Sequence, residues 1–273
     1  MSLRQRAAVL SVLVLGTALL AACGDEIVIG EKESASESGR EVLPLSGGPL
    51  MLDLTSGVGE ITIRAGGDAT QVVVEYVKTA YGQTKDEAQT ELAAMTLAIN
   101  QQADAVTINS VQPPQQNQTR ANTVDLTITV PPSIGLRLVN NVGDVQVRGV
   151  QLGEGATLSA DVGRISLLDV GVSGGLKVSS NVGDVTFEGA LGDQGTYELT
   201  SNVGAVTLRL DGALSARLDA ATNVGKVTIE GIALRNATST DEGASASVRG
   251  TAGDGGARLT VRANVGDVRI EAR

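Results

Sequence analysis

Apolar and polar residues alternate along most of this chain, in a frame that recurs around the dipeptide Val-Gly. In the copy around Gly183, Leu176 and Val178 alternate with polar residues before the glycine, and Val185 and Phe187 do so after it. Alternation with a period of two is typical of a strand that has one buried face. The parity shifts by one across Asn-Val-Gly, so each copy is predicted to hold two short strands joined by a tight bend.

The frame occurs seven times, and its spacing predicts the fold. The glycines are Gly59, Gly143, Gly163, Gly183, Gly204, Gly225 and Gly266. From the second glycine onward the steps are 20, 20, 21, 21 and 41 residues. A fixed period near 20 is the mark of stacked units. We therefore predict an all-β fold, a parallel β-solenoid of about 20–21 residues per coil whose coils follow the order of the sequence. The last step is expected to hold two coils, with a degenerate one at residues 232–256.

The residues just before each glycine indicate the shape of the bend. Two before it stand residue types that tolerate positive φ or bond their own backbone in turns: Asn141, Asp161, Asn181, Asn202, Asn223, Asn264 and Gly57. Asparagines stacked at a coil spacing of about 4.8 Å can bond to one another as a ladder. The residue three before the glycine is small or polar, as a narrow inner corner requires. The valine directly before it, Val182 in the Gly183 copy, continues the buried face of the frame.

Residues 42–132 have a different texture from the regular coils of residues 133–273. A strand is expected near residues 71–79, and Thr84-Lys85-Asp86-Glu87 is a capping box that predicts a helix to about Ala94. Two further strands should form a hairpin about residues 102–104. We interpret residues 42–132 as a first solenoid copy with a small α+β elaboration that caps this end of the stack.

The amino-terminal region predicts a bacterial lipoprotein. Residues 1–22 form a signal peptide with a charged start and an uncharged, mostly apolar stretch too short to span a bilayer, and Leu20-Ala21-Ala22-Cys23 matches the lipobox. Cys23 is predicted to carry the lipid, and residues 23–41 to be the lipidated cysteine with a flexible, Ser-rich tether. The protein is therefore expected outside the cytoplasm, lipid-anchored to a bacterial membrane in the cell envelope or at the surface. An ordinary secretory signal and a buried amino-terminal helix are the alternatives.

Composition narrows the possible chemistry. The chain has no histidine or tryptophan, one cysteine, three tyrosines and one phenylalanine. His-dependent catalysis is excluded, a zinc site would need carboxylates alone, and aromatic stacking on glycans has little material. A Ser–Lys dyad remains formally possible. Without the two arginines of the signal, 31 acidic and 19 basic side chains remain, which disfavours nucleic acid as a partner. We predict no enzyme activity, no cofactor and no metal.

The recurring triplet Val-Gly-Asp invites a calcium hypothesis at Asp144, Asp184 and Asp267. The same position holds Arg164 and Lys226 in other copies, so a cation would lie beside cationic side chains, and charge pairing between coils is favoured instead. Two further motifs are interpreted as structural. The file of threonines three residues past the glycine is interrupted by other residue types, which disfavours an ice-binding surface. The glycine-rich residues 250–256 lack the lysine of a phosphate-binding P-loop.

The Pro131-Pro132 entry, followed by iterated Leu-x-Leu/Val-x-x-Asn-Val-Gly-Asp-Val-x-Val coils, resembles the bacterial putative-adhesin family over residues 42–273. That family contains parallel β-solenoid domains of unknown function, and the resemblance carries over no catalytic or ligand residue. We expect a non-catalytic envelope protein that acts as an adhesin-like or scaffold binding surface, attached to the membrane through Cys23 and binding protein partners. One alternative is an accessory module for envelope stress or assembly that binds through an uncovered last coil near residues 265–270. A polysaccharide-active β-helix enzyme is the other.

Overall fold

The computed structural model describes residues 33–66, 68, 70–113 and 120–273. Nearly all of this part is β-structure, and its one helix is α1 (Lys85–Ala94). The first ten strands are β1 (Glu33–Pro44), β2 (Leu50–Val58), β3 (Ile61–Ala65), β4 (Gln71–Gly82), β5 (Thr96–Gln102), β6 (Ala105–Val111), β7 (Thr123–Val130), β8 (Ser133–Val142), β9 (Val145–Arg148) and β10 (Gln151–Leu152). The others are β11 (Ala156–Val162), β12 (Ile165–Val182), β13 (Val185–Val203), β14 (Val206–Leu210), β15 (Ala216–Val224), β16 (Val227–Glu230), β17 (Leu234–Glu242), β18 (Ser245–Ala252), β19 (Ala257–Val265) and β20 (Val268–Ala272).

The middle of the molecule is a parallel stack built around the Asn-Val-Gly corners. Before the corner, β8, β11 and the second halves of β12 and β13 pair side by side. After the corner, β9, the first halves of β12 and β13, and β14 do the same. We call these two surfaces the pre-corner face and the post-corner face. Equivalent residues such as Val162 and Val182 lie opposite one another, so side chains form files along the stack.

The order of the stack departs from the order of the sequence near both ends. On the pre-corner face β19 lies between β13 and β15, and on the post-corner face β20 lies between β14 and β16. At the other end β2 lies between β6 and β8, and β3 lies between β7 and β9. Our expectation of sequential coils is therefore wrong at these positions. Residues 265–270, expected as the uncovered last coil, are covered on both sides, and the coil around Gly225 ends the stack.

Residues 232–256 also differ from the degenerate coil that the spacing suggests. Strands β17 and β18 form an antiparallel hairpin, and β18 pairs antiparallel with β15. The step of 41 residues therefore holds one coil and one hairpin. The hairpin extends the pre-corner face two strands beyond β15, and it makes the sheet mixed rather than purely parallel.

The other end of the stack carries the α+β elaboration. On the post-corner face β7 pairs parallel with β3, and β4 and β1 continue antiparallel beyond β7; on the pre-corner face β5 pairs antiparallel with β6. The expected helix and hairpin are present, and the Thr84 hydroxyl accepts a hydrogen bond of 3.2 Å from the Glu87 amide. Residues 33–40, assigned to the tether from the sequence, instead form most of β1, which pairs with β4 along its whole length.

The core is aliphatic, and close stacking at the corners explains the repeated glycine. Leucine, valine and isoleucine side chains fill the inside, with Phe187 and Tyr197 among the largest fully buried side chains. The seven corner glycines have φ between +129° and +151°. A Cβ on Gly183 would lie 2.1 Å from the carbonyl oxygen of Gly163, so another residue there would collide with the neighbouring coil.

Candidate binding groove along the corners

A shallow groove of about 680 Å³ runs along the pre-corner face beside the corners, and we call it the amide groove. Its residues come from three neighbouring positions of each coil, which lie two, three and four residues before the corner glycine. One wall is the file of asparagines, and the other includes Ser159, Ser179 and Thr200. The residue between the walls points inward while its two neighbours point outward, and the strand bends just after the asparagines, where the next residue, a valine, also points outward. The groove therefore follows from the corner sequence itself.

The asparagine file forms the ladder that the sequence predicts. The Asn202 amide donates to the Asn181 oxygen at 3.1 Å, Asn264 donates to Asn202 at 3.0 Å, and Asn223 donates to Asn264 at 2.6 Å. The ladder thus runs through residues 181, 202, 264 and 223, in the same rearranged order as the strands. Asp161 takes the place of an asparagine in this file and is exposed.

Buried polar side chains form the floor of the groove and fasten the corners. Ser180 and Ser201 donate from their hydroxyls to the carbonyl oxygens of Gly163 and Gly183, at 3.0 and 2.8 Å. The Asn140 side-chain amide donates to the Gly143 carbonyl at 2.9 Å, while its own oxygen is buried and accepts no hydrogen bond from the described residues. These bonds satisfy carbonyl groups that the tight bend removes from the strand pairing.

A row of valines lies next to the asparagine ladder. Its members are Val142, Val162, Val182, Val203, Val265 and Val224, each between 40% and 49% exposed. The prediction that Val182 lies on the buried face is wrong, because both the asparagine and the valine turn outward at the bend. A line of half-exposed valines beside a polar groove gives this edge an apolar strip. Contiguous apolar surface of this kind often marks an interaction site.

The aspartates of Val-Gly-Asp have a structural role. The Oδ1 atoms of Asp144, Asp184 and Asp267 accept hydrogen bonds from the backbone amides of the next coil, at 2.8, 2.9 and 2.8 Å. The Arg164 guanidinium also lies 3.7 Å from the Asp144 carboxylate, which fits the expected charge pairing. Within residues 33–273, as far as the structure describes them, no group of three or more Asp, Glu, His or Cys side chains is placed to hold a metal ion.

A second charged cluster lies on the post-corner face. Glu188 bonds Arg209 at 2.5 Å and Arg273 at 3.0 Å, so the last residue of the chain is tied to the middle of the stack. The hydrogen bond from Arg209, assisted by Arg273, holds the pKa of Glu188 below its usual range. The sequence predicts that Glu188, Arg209 and Glu230 alternate; instead Arg209 lies near Glu271, because β20 is inserted there, and Glu230 pairs with Arg269.

The chemistry of the amide groove suits binding. Among the described residues that line it, hydroxyl and amide groups predominate, and Asp161 is the one carboxylate. Glycoside hydrolysis needs a pair of carboxyl groups across the scissile bond, and this groove has no second carboxylate to pair with Asp161. The groove offers hydrogen-bond donors and acceptors at a regular spacing, with an apolar strip along one side.

The candidate lipidation site cannot be placed in this geometry. Cys23 and the predicted signal peptide lie outside the residues that the structure describes. In the part that is described, α1 is too short and too polar to span a membrane.

The protein is a β-rich stack of strands in which equivalent surface side chains, including those of the asparagine ladder and the amide groove, are repeated from coil to coil. The chain belongs to the Toastrack DUF4097 family, whose model matches residues 76–271. No curated protein matches the chain.

Several solved structures resemble it. A "putative cell adhesion protein" from Clostridium sporogenes is 16% identical with a TM-score of 0.50, over 88% of this chain and 100% of that chain. A "putative adhesin" from Bacteroides fragilis is 13% identical with a TM-score of 0.45, over 88% of this chain and 97% of that one. The first of these shares the fold.

Proposed function

We propose that this is a non-catalytic cell-envelope protein that binds an extended ligand along the amide groove, as an adhesin-like or scaffold surface. The observation that carries the proposal is the groove itself, with its asparagine ladder on one wall and the valine row beside it. Regularly spaced amides and hydroxyls favour a ligand that is itself extended and polar, because such a ligand meets equivalent groups at successive coils.

Two further points support a place on the cell surface. The lipobox around Cys23 favours anchoring by acyl chains, which gives stable attachment when two or more are present. The solved structure from Clostridium sporogenes, which shares the fold, is described as a "putative cell adhesion protein". On this proposal the solenoid lies outside the cytoplasm and presents the groove to an envelope or external partner.

The groove is tested by filling it. Ser179→Trp places a large side chain on the groove wall, while Lys177→Trp places the same side chain on the same strand, outside the groove. Beads coated with each protein are passed over immobilised peptidoglycan, bacterial surface polysaccharides and extracellular-matrix proteins, and the retained fraction is counted. We expect retention on at least one surface that falls at least about fivefold for Ser179→Trp, a loss of about 1 kcal/mol in binding, and is unchanged for Lys177→Trp. Retention on none of them, or equal retention by both variants, would contradict the groove as the binding site.

Anchoring is tested separately at the cysteine. Cys23→Ala removes the thiol that would carry the diacylglycerol, so we expect the protein to leave the membrane fraction and to lose labelling by a clickable palmitate analogue. A substitution at an exposed position near the start of β1, Ser34→Ala, serves as the control and should remain membrane-bound. Equal labelling of Cys23→Ala and the control would show that the chain is not lipidated at this position.

A further inference from the structure

The post-corner face ends abruptly at β16. This strand is hydrogen-bonded to β20 alone among the strands that the structure describes. Its inward residues Val227 and Ile229 are partly exposed, whereas Val268 and Ile270, the equivalent residues of the neighbouring strand, are fully buried. One side of the apolar core is therefore uncovered along a single strand.

Two of the other edge strands, β1 and β17, are less suited to pairing through the core, whereas β5 has two partly exposed core side chains, Leu97 and Ile99, as β16 does. Strands β1 and β17 carry mostly exposed side chains on both faces, so they offer little apolar surface to a new neighbour. Soluble proteins protect sheet edges with such polar strands, or with charges and covering elements. Strand β16 instead presents free backbone groups together with two half-covered core side chains.

The shape of this end selects the kind of occupant. The hairpin of β17 and β18 extends the adjoining pre-corner face two strands, or about 10 Å, beyond the level of β16. An extended segment of polypeptide that paired with β16 would lie at the level of the hairpin. The end of a second folded copy would meet the hairpin before its own sheet reached β16.

Charge indicates the sequence of that segment. The residues following the corner glycines run, in spatial order, through Asp184, Ala205, Asp267 and Lys226, and each aspartate here bonds the backbone of the next coil. Lys226 is exposed and takes part in none of the ion pairs among the described residues, whereas Glu230 is paired with Arg269 at 3.1 Å. An acidic residue on the incoming strand would meet the unpaired ammonium of Lys226.

We propose that β16 is a docking site for an extended strand of a partner protein, which adds to the post-corner face by main-chain pairing. The strand has an acidic residue followed by an apolar–polar–apolar sequence, so that it supplies the side chains that a further coil would place over Val227 and Ile229. Main-chain hydrogen bonds hold such an added strand, and the alternate side chains give it specificity.

The chain's own repeat supplies a probe of this chemistry. A fluorescent peptide copies residues 181–189, which include the strand start Asp184-Val185-Thr186-Phe187-Glu188, and its anisotropy is measured against the purified protein. We expect saturable binding that is weakened about 5- to 30-fold by Ile229→Thr, because this change removes apolar surface that the peptide covers. Ile99→Thr, on edge strand β5 at the other end of the stack, is the matched control and should bind as the unaltered protein does.

A charge exchange tests the register without disturbing the core. Lys226→Glu should weaken the peptide about 2- to 5-fold, as for an exposed ion pair, and a peptide with lysine in place of its aspartate should recover that loss. Absence of binding to the unaltered protein, or binding reduced by Ile99→Thr instead of Ile229→Thr, would overturn the proposal. Sedimentation velocity provides another decisive outcome, since a dimer abolished by Ile229→Thr would assign β16 to a second copy of the chain.

Discussion

The two ends of the stack are built in opposite ways on the post-corner face. Beyond β3, one parallel strand and then two antiparallel strands continue the face, and Ile61 and Ile63 are buried. Beyond β16 no strand follows in the described chain, and Ile229 is partly exposed. The same repeat therefore ends once as a closed cap and once as an open edge. The repeat provides the stack, while the elements outside the repeat decide which end is available to a partner.

Both ends nevertheless share one feature: a strand that comes later in the sequence lies between an earlier strand and the middle of the stack. Strand β8 returns to the inner side of β2, and β19 returns to the inner side of β15. The end of the chain and the end of the stack are consequently different places. Arg273 lies beside Glu188 in the middle of the stack, far from the open edge in stacking order.

Truncation gives the largest expected contrast. A chain that ends at Gly266 lacks β20, so β14 and β16 both lose their neighbour and two fully buried side chains disappear. Each of these side chains contributes about 1.5–3 kcal/mol, and we expect the free energy of unfolding to fall by about 5 kcal/mol or more in urea titrations. The control begins at Glu37, which removes, of the described residues, only the exposed start of β1, and should lose less than about 1 kcal/mol. Similar losses from the two truncations would refute the inserted position of β20.

A pair of core substitutions compares the ends directly. Ile63→Ala creates a cavity beneath β7 and should lower the free energy of unfolding by about 2–5 kcal/mol. Ile229→Ala removes the same atoms from a half-covered site, and we expect about half that cost or less, because part of the side chain already contacts water. Chemical denaturation followed by circular dichroism measures both. Equal costs would mean that the open edge is covered in solution.

The smallest expected effect concerns the cluster that ties the chain terminus to the stack. The pKa of Glu188 is lowered in the folded protein, so its ion pairs stabilise the protein above the unfolded carboxylate pKa of about 4.3, and this stability is lost as the pH falls through the folded value. Glu188→Gln should therefore cost about 1 kcal/mol at pH 7 and almost nothing near pH 3. Glu198→Gln, whose partner Lys177 is largely exposed, is the control and should cost less at pH 7. A cost for Glu188→Gln that did not change between pH 7 and pH 3 would contradict this account.

Local features were predictable from the sequence where a short motif determines the geometry. The Asn-Val-Gly corners, the asparagine ladder and the Thr84 cap each depend on residues that are close in sequence or equivalent in successive repeats. Alternation identified Val185 and Phe187 as core residues for the same reason. The Val182 prediction was wrong because period-two alternation assumes a straight strand. This strand bends at Asn181 and Val182, so both of their side chains point outward.

The order of the coils could not be obtained in this way. Every copy carries the same corner sequence, so the copy around Gly266 and the copy around Gly225 could each pack beside the same neighbouring coil. Alternation gives no information about which strand lies beside which. The spacing of 41 residues was the available signal. It was ambiguous, because an antiparallel hairpin and an extra coil can occupy a similar length of chain. The groove was likewise predictable only in part. Its asparagine ladder could be predicted from the sequence, whereas the outward orientation of the valines depends on the bend, which the sequence pattern does not place.

The inserted position of β20 has a consequence for how the protein is made. Residues 268–272 leave the ribosome after β16, yet they separate β14 from β16 in the finished sheet. The coil around Gly225 cannot reach its final neighbours until β20 has been synthesised. A nascent chain that ends before Val268 therefore leaves β14 and β16 without the strand that lies between them.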